Sequence, residues 1–120
     1  MVFYVSFAGP DRRYLDGSIH VSSVGFAKLV DDLEIALEKM KSLKKVELRG
    51  LFTKLVRNSN PKLEVVSERG EIGLNFWVSS KNYDYFKTID ISNLEKIINE
   101  LKQVEEKAKK LASTLEVLCF

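Results

Sequence analysis

The chain has 120 residues, 45% hydrophobic and 30% charged, with a formal net charge of +2 and one cysteine. That length supports one modest core rather than two independent domains, and no run of 18 apolar residues is present to cross a membrane as a helix. Cys119 can form no internal disulfide, and no set of Cys, His and carboxylate residues has structural-zinc spacing, so a cytoplasmic protein without metal or cofactor is expected.

The first nine residues are apolar but lack a basic leader, and they read as a strand rather than a signal peptide. Within them residues 2 to 8 alternate: Phe3, Val5 and Phe7 on one side, Val2, Tyr4 and Ser6 on the other. Gly9 to Gly17, with Pro10, Asp11 and Asp16, forms a loop, and residues 18 to 22 return as a second strand of a hairpin. From Val24 the period becomes helical. Phe26, Leu29, Val30, Leu33, Leu37 and Met40 predict an amphipathic helix over residues 24 to 42, capped by Ser22 or Ser23. Over residues 43 to 58, Leu48, Leu51, Phe52, Leu55 and Val56 fit a second helix better than Val46 and Leu48 fit a strand, although Gly50 counts against it. Asn58, Ser59, Asn60 and Pro61 end that segment.

Three strands follow as a meander, over residues 62 to 67, 71 to 79 and 83 to 89. A tight turn at Arg69 and Gly70 joins the first two, and Ser80, Lys81 and Asn82 join the second two. Ser92 and Glu95 have capping-box spacing at the start of the last helix. The fold class is α+β: an antiparallel sheet of about five strands, helices on one face and a long C-terminal coiled-coil-like helix.

That last helix carries a heptad. Leu94, Leu101, Ala108 and Leu115 recur every seven residues, with Ile97, Val104, Leu111 and Leu118 three residues behind each. Near its start Ile98 widens the stripe, as suits packing on a sheet. Beyond it the stripe narrows, and a helix of that length outreaches strands of six to eight residues. Residues 1–103 are therefore expected to form the folded domain and 104–120 a dimerisation segment, with Val104, Ala108, Leu111, Leu115 and Leu118 at a homodimer seam. In a parallel pair Glu100 would face Glu105; in an antiparallel pair it meets Lys107, which favours the antiparallel arrangement.

Charge is unevenly distributed. Eight Lys and Arg lie between residues 39 and 62 against Glu47 alone, a local balance of +7 on a chain whose total is +2. Such a block is either a solvated face or a surface for phosphate. Trp77 falls on the polar side of its strand, between Asn75 and Ser79, where a ring either packs beneath a second layer or stacks on a ligand. Tyr83, Tyr85 and Lys87 share one face of the next strand, and Arg12 and Arg13 immediately precede Tyr14 in the first loop; with the basic block nearby, these tilt the reading toward nucleic acid. Catalysis is not expected: His20 is the lone histidine, on a short strand, and there is no Walker loop and no Rossmann glycine pattern. Abundant Lys and Glu, with Gln103 the lone glutamine, lean toward a thermophilic source.

A small antiparallel sheet, helices on it, aromatics interleaved with basic groups and a C-terminal zipper helix together resemble the ThermoDBP type of archaeal single-stranded DNA-binding protein, over nearly the whole chain. The resemblance implies a non-OB-fold cleft between sheet and helices that takes bases, and dimerisation through the terminal helix. On that reading Trp77, Tyr83, Tyr85 and Phe52 would stack on bases, and Arg12, Arg13, Arg49, Lys54, Arg57 and Lys87 would meet phosphates. The expected function is non-catalytic, largely sequence-independent binding of single-stranded nucleic acid, DNA before RNA, by a homodimer. The alternatives are a protein-interaction module that uses the heptad helix, and an accessory factor that binds single-stranded RNA.

Overall fold

The computed structural model describes residues 2–8, 15–79 and 84–118, with side chains described over 22–79 and 86–111. In chain order the elements are β1 (Val2–Ala8), β2 (Leu15–Ser22), α1 (Ser23–Lys44), β3 (Phe52–Asn58), β4 (Lys62–Glu68), β5 (Glu71–Ser79), β6 (Asp84–Ile89) and α2 (Ile91–Leu118). The fold is α+β: a four-stranded antiparallel sheet, ordered β3-β4-β5-β6, packs against the two helices. β1 and β2 form a separate two-stranded hairpin that lies against α1 and reaches β5 and β6. The expected single sheet of about five strands is thus corrected to four strands plus a hairpin.

The larger correction concerns residues 43 to 58. Instead of a second helix, α1 runs on to Lys44, an irregular link follows, and Phe52–Asn58 forms strand β3, paired with β4. Gly50 sits at φ +88°, a conformation that ends any helical register there. The helical spacing of Leu48, Leu51, Phe52, Leu55 and Val56 was coincidental. Antiparallel pairing with β4 decides the conformation, and Leu51 and Leu55 end up exposed. A bulge between Leu55 and Arg57 lets both Val56 and Arg57 turn inward, the former against the core.

α1 starts where Ser22 accepts a hydrogen bond from the Gly25 amide at 3.1 Å. For α2 the expected Ser92–Glu95 box is not used. Asp90 caps the helix, its carboxylate accepting from the Asn93 amide at 2.8 Å, and Glu95 pairs with Lys41 of α1 at 3.1 Å. Lys102 and Glu34 form a second bridge at 2.6 Å. The two bridges lie seven residues apart on each helix and in opposite order, so α1 and α2 run antiparallel. The β4–β5 turn matches the sequence reading: Arg69 and Gly70 both have positive φ, 53° and 82°, between the paired Glu68 and Glu71.

Alternation along the strands sorts the sheet into two faces. Leu63, Val65 and Ser67 of β4, with Leu74, Phe76 and Val78 of β5, are buried beneath the helices. They meet Leu29, Leu33, Ala36 and Met40 of α1 and Leu94 and Ile98 of α2 in one core. On the other face Leu55, Lys62, Glu64, Val66, Asn75, Trp77, Phe86 and Thr88 are exposed or half-exposed. An antiparallel sheet tolerates this, since only one face needs a second layer.

Candidate nucleic-acid interface

β3 is an edge strand, and its register decides where the basic block goes. Phe52 stands opposite Ser67 and Lys54 opposite Val65, so both occupy positions on the helix side of the sheet. There they meet the C-terminal half of α1. Glu38, Lys39, Ser42, Leu43, Phe52 and Lys54 line a groove of about 340 Å³ between helix and strand edge, near the lower limit of ordinary ligand pockets, roughly 300 Å³. Lys44, Lys45 and Arg49 are exposed at the end of α1 and in the link that leads to β3. None of Lys39, Lys44, Lys45, Arg49 and Lys54 forms an ion pair with another described residue. The carbonyl end of α1 favours cations in its last turn, which accounts for Lys41 and Lys44 there; it does not account for Arg49 or Lys54.

The other expected phosphate contacts are distributed differently. Arg57 is engaged within the fold: its Nη1 lies 3.4 Å from Asp32 of α1, and its Nε donates to Ser59 at 2.6 Å. Lys87 stands opposite Phe76 on β6, an exposed residue at the far edge of the sheet. Three strand spacings, roughly 14 Å, separate it from β3. Arg12, Arg13 and Tyr83 lie outside the described residues, and so does the side chain of Tyr85, whose position is opposite Val78.

Trp77 is on the other face. It pairs with Lys62 on one side and Phe86 on the other. Its ring meets Phe86 edge-on, with centroids 5.7 Å apart and planes at 73°. The two rings are 41% and 51% exposed. The same face carries Glu64, Glu68 and Glu71 against Lys62 and Arg69, a poor setting for phosphate. The expected stacking set is therefore split: Phe52 lies on the helix side with Lys39, Lys54 and Glu38, and Trp77 lies on the open side opposite Lys62, with Glu64 the next open-face residue of β4, away from the Tyr85 and Lys87 positions. Sequence reasoning passed over two residues. Lys39 was counted in the block but not placed in a site, because its meeting with Lys54 needs the α1–β3 packing. Phe86 follows from strand alternation once Trp77 is set on the open face.

The heptad of α2 also divides. Leu94 is fully buried, and Leu101 packs against the domain core. Ala108, one turn of the pattern further, is half-buried. In the column three residues behind them Ile97 is partly buried and packs against the core, while Val104 and Leu111 are 47% and 54% exposed. Leu115 and Leu118 belong to α2, but their side chains lie outside the description. At 28 residues α2 is about 42 Å long, within a molecule whose longest dimension is 61 Å.

Among the described residues no helix is long and apolar enough to cross a membrane, and no group of three or more His, Cys, Asp or Glu could hold a metal ion. Comparison with family models, with curated proteins and with solved structures finds no match to this chain.

Proposed function

We propose that the protein binds single-stranded nucleic acid without catalysis and largely without regard to sequence, and that the α1–β3 groove is the binding site. The observation that carries this reading is the convergence of Phe52 with Lys39 and Lys54 in the groove, beside Glu38, with Lys44, Lys45 and Arg49 exposed in the stretch of chain that joins these two walls. Cations gain affinity by releasing counterions from the phosphate backbone. A ring beside them offers a stacking surface that every base can use. A groove of about 340 Å³ between a helix and a sheet edge suits a splayed base, whereas a duplex keeps its bases stacked inside. DNA rather than RNA rests on the resemblance to ThermoDBP-type proteins. Association into an antiparallel homodimer is part of the same reading, through the α2 flank that exposes Val104 and Leu111. Two linked grooves would raise affinity for long strands through effective concentration.

The test is an anisotropy titration against single-stranded DNA, single-stranded RNA and duplex oligonucleotides at two salt concentrations. The reading expects binding of single strands at low salt, weaker binding of duplex, and a steep loss with added salt. Tighter binding of RNA than DNA favours the RNA-accessory alternative. Absence of binding to every strand at low salt overturns the reading. A protein-interaction module then becomes the better account, and the exposed Trp77–Phe86 pair on an uncovered sheet face is the observation that favours it.

A further inference from the structure

The α1–β3 groove holds one carboxylate among its cations. Glu38 and Ser42, four residues apart, form one line on α1, and Lys39 and Leu43 form the line beside it. Lys39 and Leu43 are half-buried, so their line lies nearer the sheet; Glu38 and Ser42 are exposed and make the outer rim of the helix wall. Glu38 forms no ion pair with another described residue. Its neighbours on the helix explain this. Lys41, three residues on, is taken by Glu95 of α2 at 3.1 Å. Ser42, four residues on, is neutral, and the same spacings backward reach Ile35 and Glu34. A carboxylate in this place repels phosphate, and it can only accept hydrogen bonds. In a DNA strand the groups that donate are on the base edges.

We propose that Glu38 is the base-discriminating residue of the groove, favouring a base that carries an exocyclic amino group, cytosine, over thymine. The proposal rests on the reading of this groove as a single-strand site. Phe52 belongs to the strand wall and Glu38 to the helix wall, and the groove between them is small, about 340 Å³. A base stacked on Phe52 therefore brings its edge to the helix wall, while Lys39 and Lys54 draw the phosphates. Cytosine offers there its N4 amino group, from which a carboxylate accepts; thymine has the O4 carbonyl in the same place. Thymine then meets Glu38 acceptor to acceptor, with no proton between them, and the hydrogen bond is lost. The preference has the size of one net hydrogen bond, roughly three- to tenfold. It is added to the charge and stacking contributions that every strand shares, so binding stays largely independent of sequence.

The experiment is an anisotropy titration of oligo-dC and oligo-dT of equal length, at low salt and neutral pH, on the full chain and on two variants. The unmodified protein should bind oligo-dC more tightly than oligo-dT by roughly three- to tenfold. Glu38→Gln keeps the size of the side chain and adds an amide donor that thymine O4 can accept. In this variant the ratio of the two affinities should fall toward one, while both strands bind more tightly because a negative charge has gone. Glu47→Gln removes the same charge from the exposed link, outside the groove lining. It should tighten both strands alike and leave the ratio unchanged. Both positions are exposed, and circular dichroism should show both variants folded. Equal binding of the two strands by the unmodified protein overturns the proposal and leaves the groove standing as a single-strand site. So does a preference for oligo-dC that survives Glu38→Gln, or one that Glu47→Gln erases equally. Binding of neither strand overturns the proposal together with the reading it rests on.

Discussion

Replacing Lys39 and Lys54 together with glutamine removes the two cations that line the groove and leaves the exposed Lys44, Lys45 and Arg49, which lie between them in the chain. For single strands the slope of log K against log salt is about −0.7 per phosphate neutralised. Five cations set the ceiling for the unmodified protein at a slope of about −3.5, and three set the variant's at about −2.1. Between 50 and 200 mM salt, a fourfold change, affinity for oligo-dT should then fall by roughly 130-fold for the unmodified protein and roughly 18-fold for the variant. Fluorescence anisotropy at four or five salt concentrations measures both slopes. Arg57→Gln is the internal control: that guanidinium is held by Asp32 and Ser59, so its loss should leave the slope unchanged. If the double substitution leaves the slope where it was, or if Arg57→Gln lowers it as much, the assignment of phosphate contacts to this groove is refuted.

Arg57→Gln should nevertheless cost stability, about 1–2 kcal/mol by chemical denaturation, because it strands the largely buried Asp32 carboxylate; adding Asp32→Asn should recover part of the loss. Leu94→Ala, at a fully buried position shared by α2 and the sheet, should destabilise by about 2–5 kcal/mol, whereas Val24→Ala at an exposed site should stay within about 0.5 kcal/mol. Val104→Asp with Leu111→Asp should abolish dimers in light scattering while leaving the helical circular dichroism intact. A dimer that survives both substitutions places the interface elsewhere.

The elements with regular periodicity were legible in the sequence. The six apolar positions from Phe26 to Met40 identify α1, and strict alternation around Leu74, Phe76 and Val78 identifies β5 with the correct inward face. Residues 43 to 58 were not legible, because five apolar residues satisfied the helical period by chance, and what settles their conformation is a partner strand, which periodicity does not report. The capping of α2 was misread for a related reason: Ser92 and Glu95 have the right spacing, but Asp90 is the residue placed to accept from the Asn93 amide, and Lys41 claims Glu95. The candidate site was partly visible. Its composition, a basic block and several aromatics, could be read directly. Its assembly could not, since Trp77 joins Phe86 and Phe52 joins Lys39 only through sheet register and through the packing of α1 on the β3 edge.

The most direct test of the groove as the binding site is one anisotropy titration of labelled oligo-dT at low salt, run on the unmodified protein, on Phe52→Ala and on Trp77→Ala. Loss of a stacking ring costs about 1–3 kcal/mol, a weakening of roughly fivefold to a hundredfold. The account expects that loss for Phe52→Ala and unchanged binding for Trp77→Ala, whose ring lies on the open, carboxylate-bearing face. Loss of binding that follows Trp77 and spares Phe52, or no binding by the unmodified protein, contradicts it.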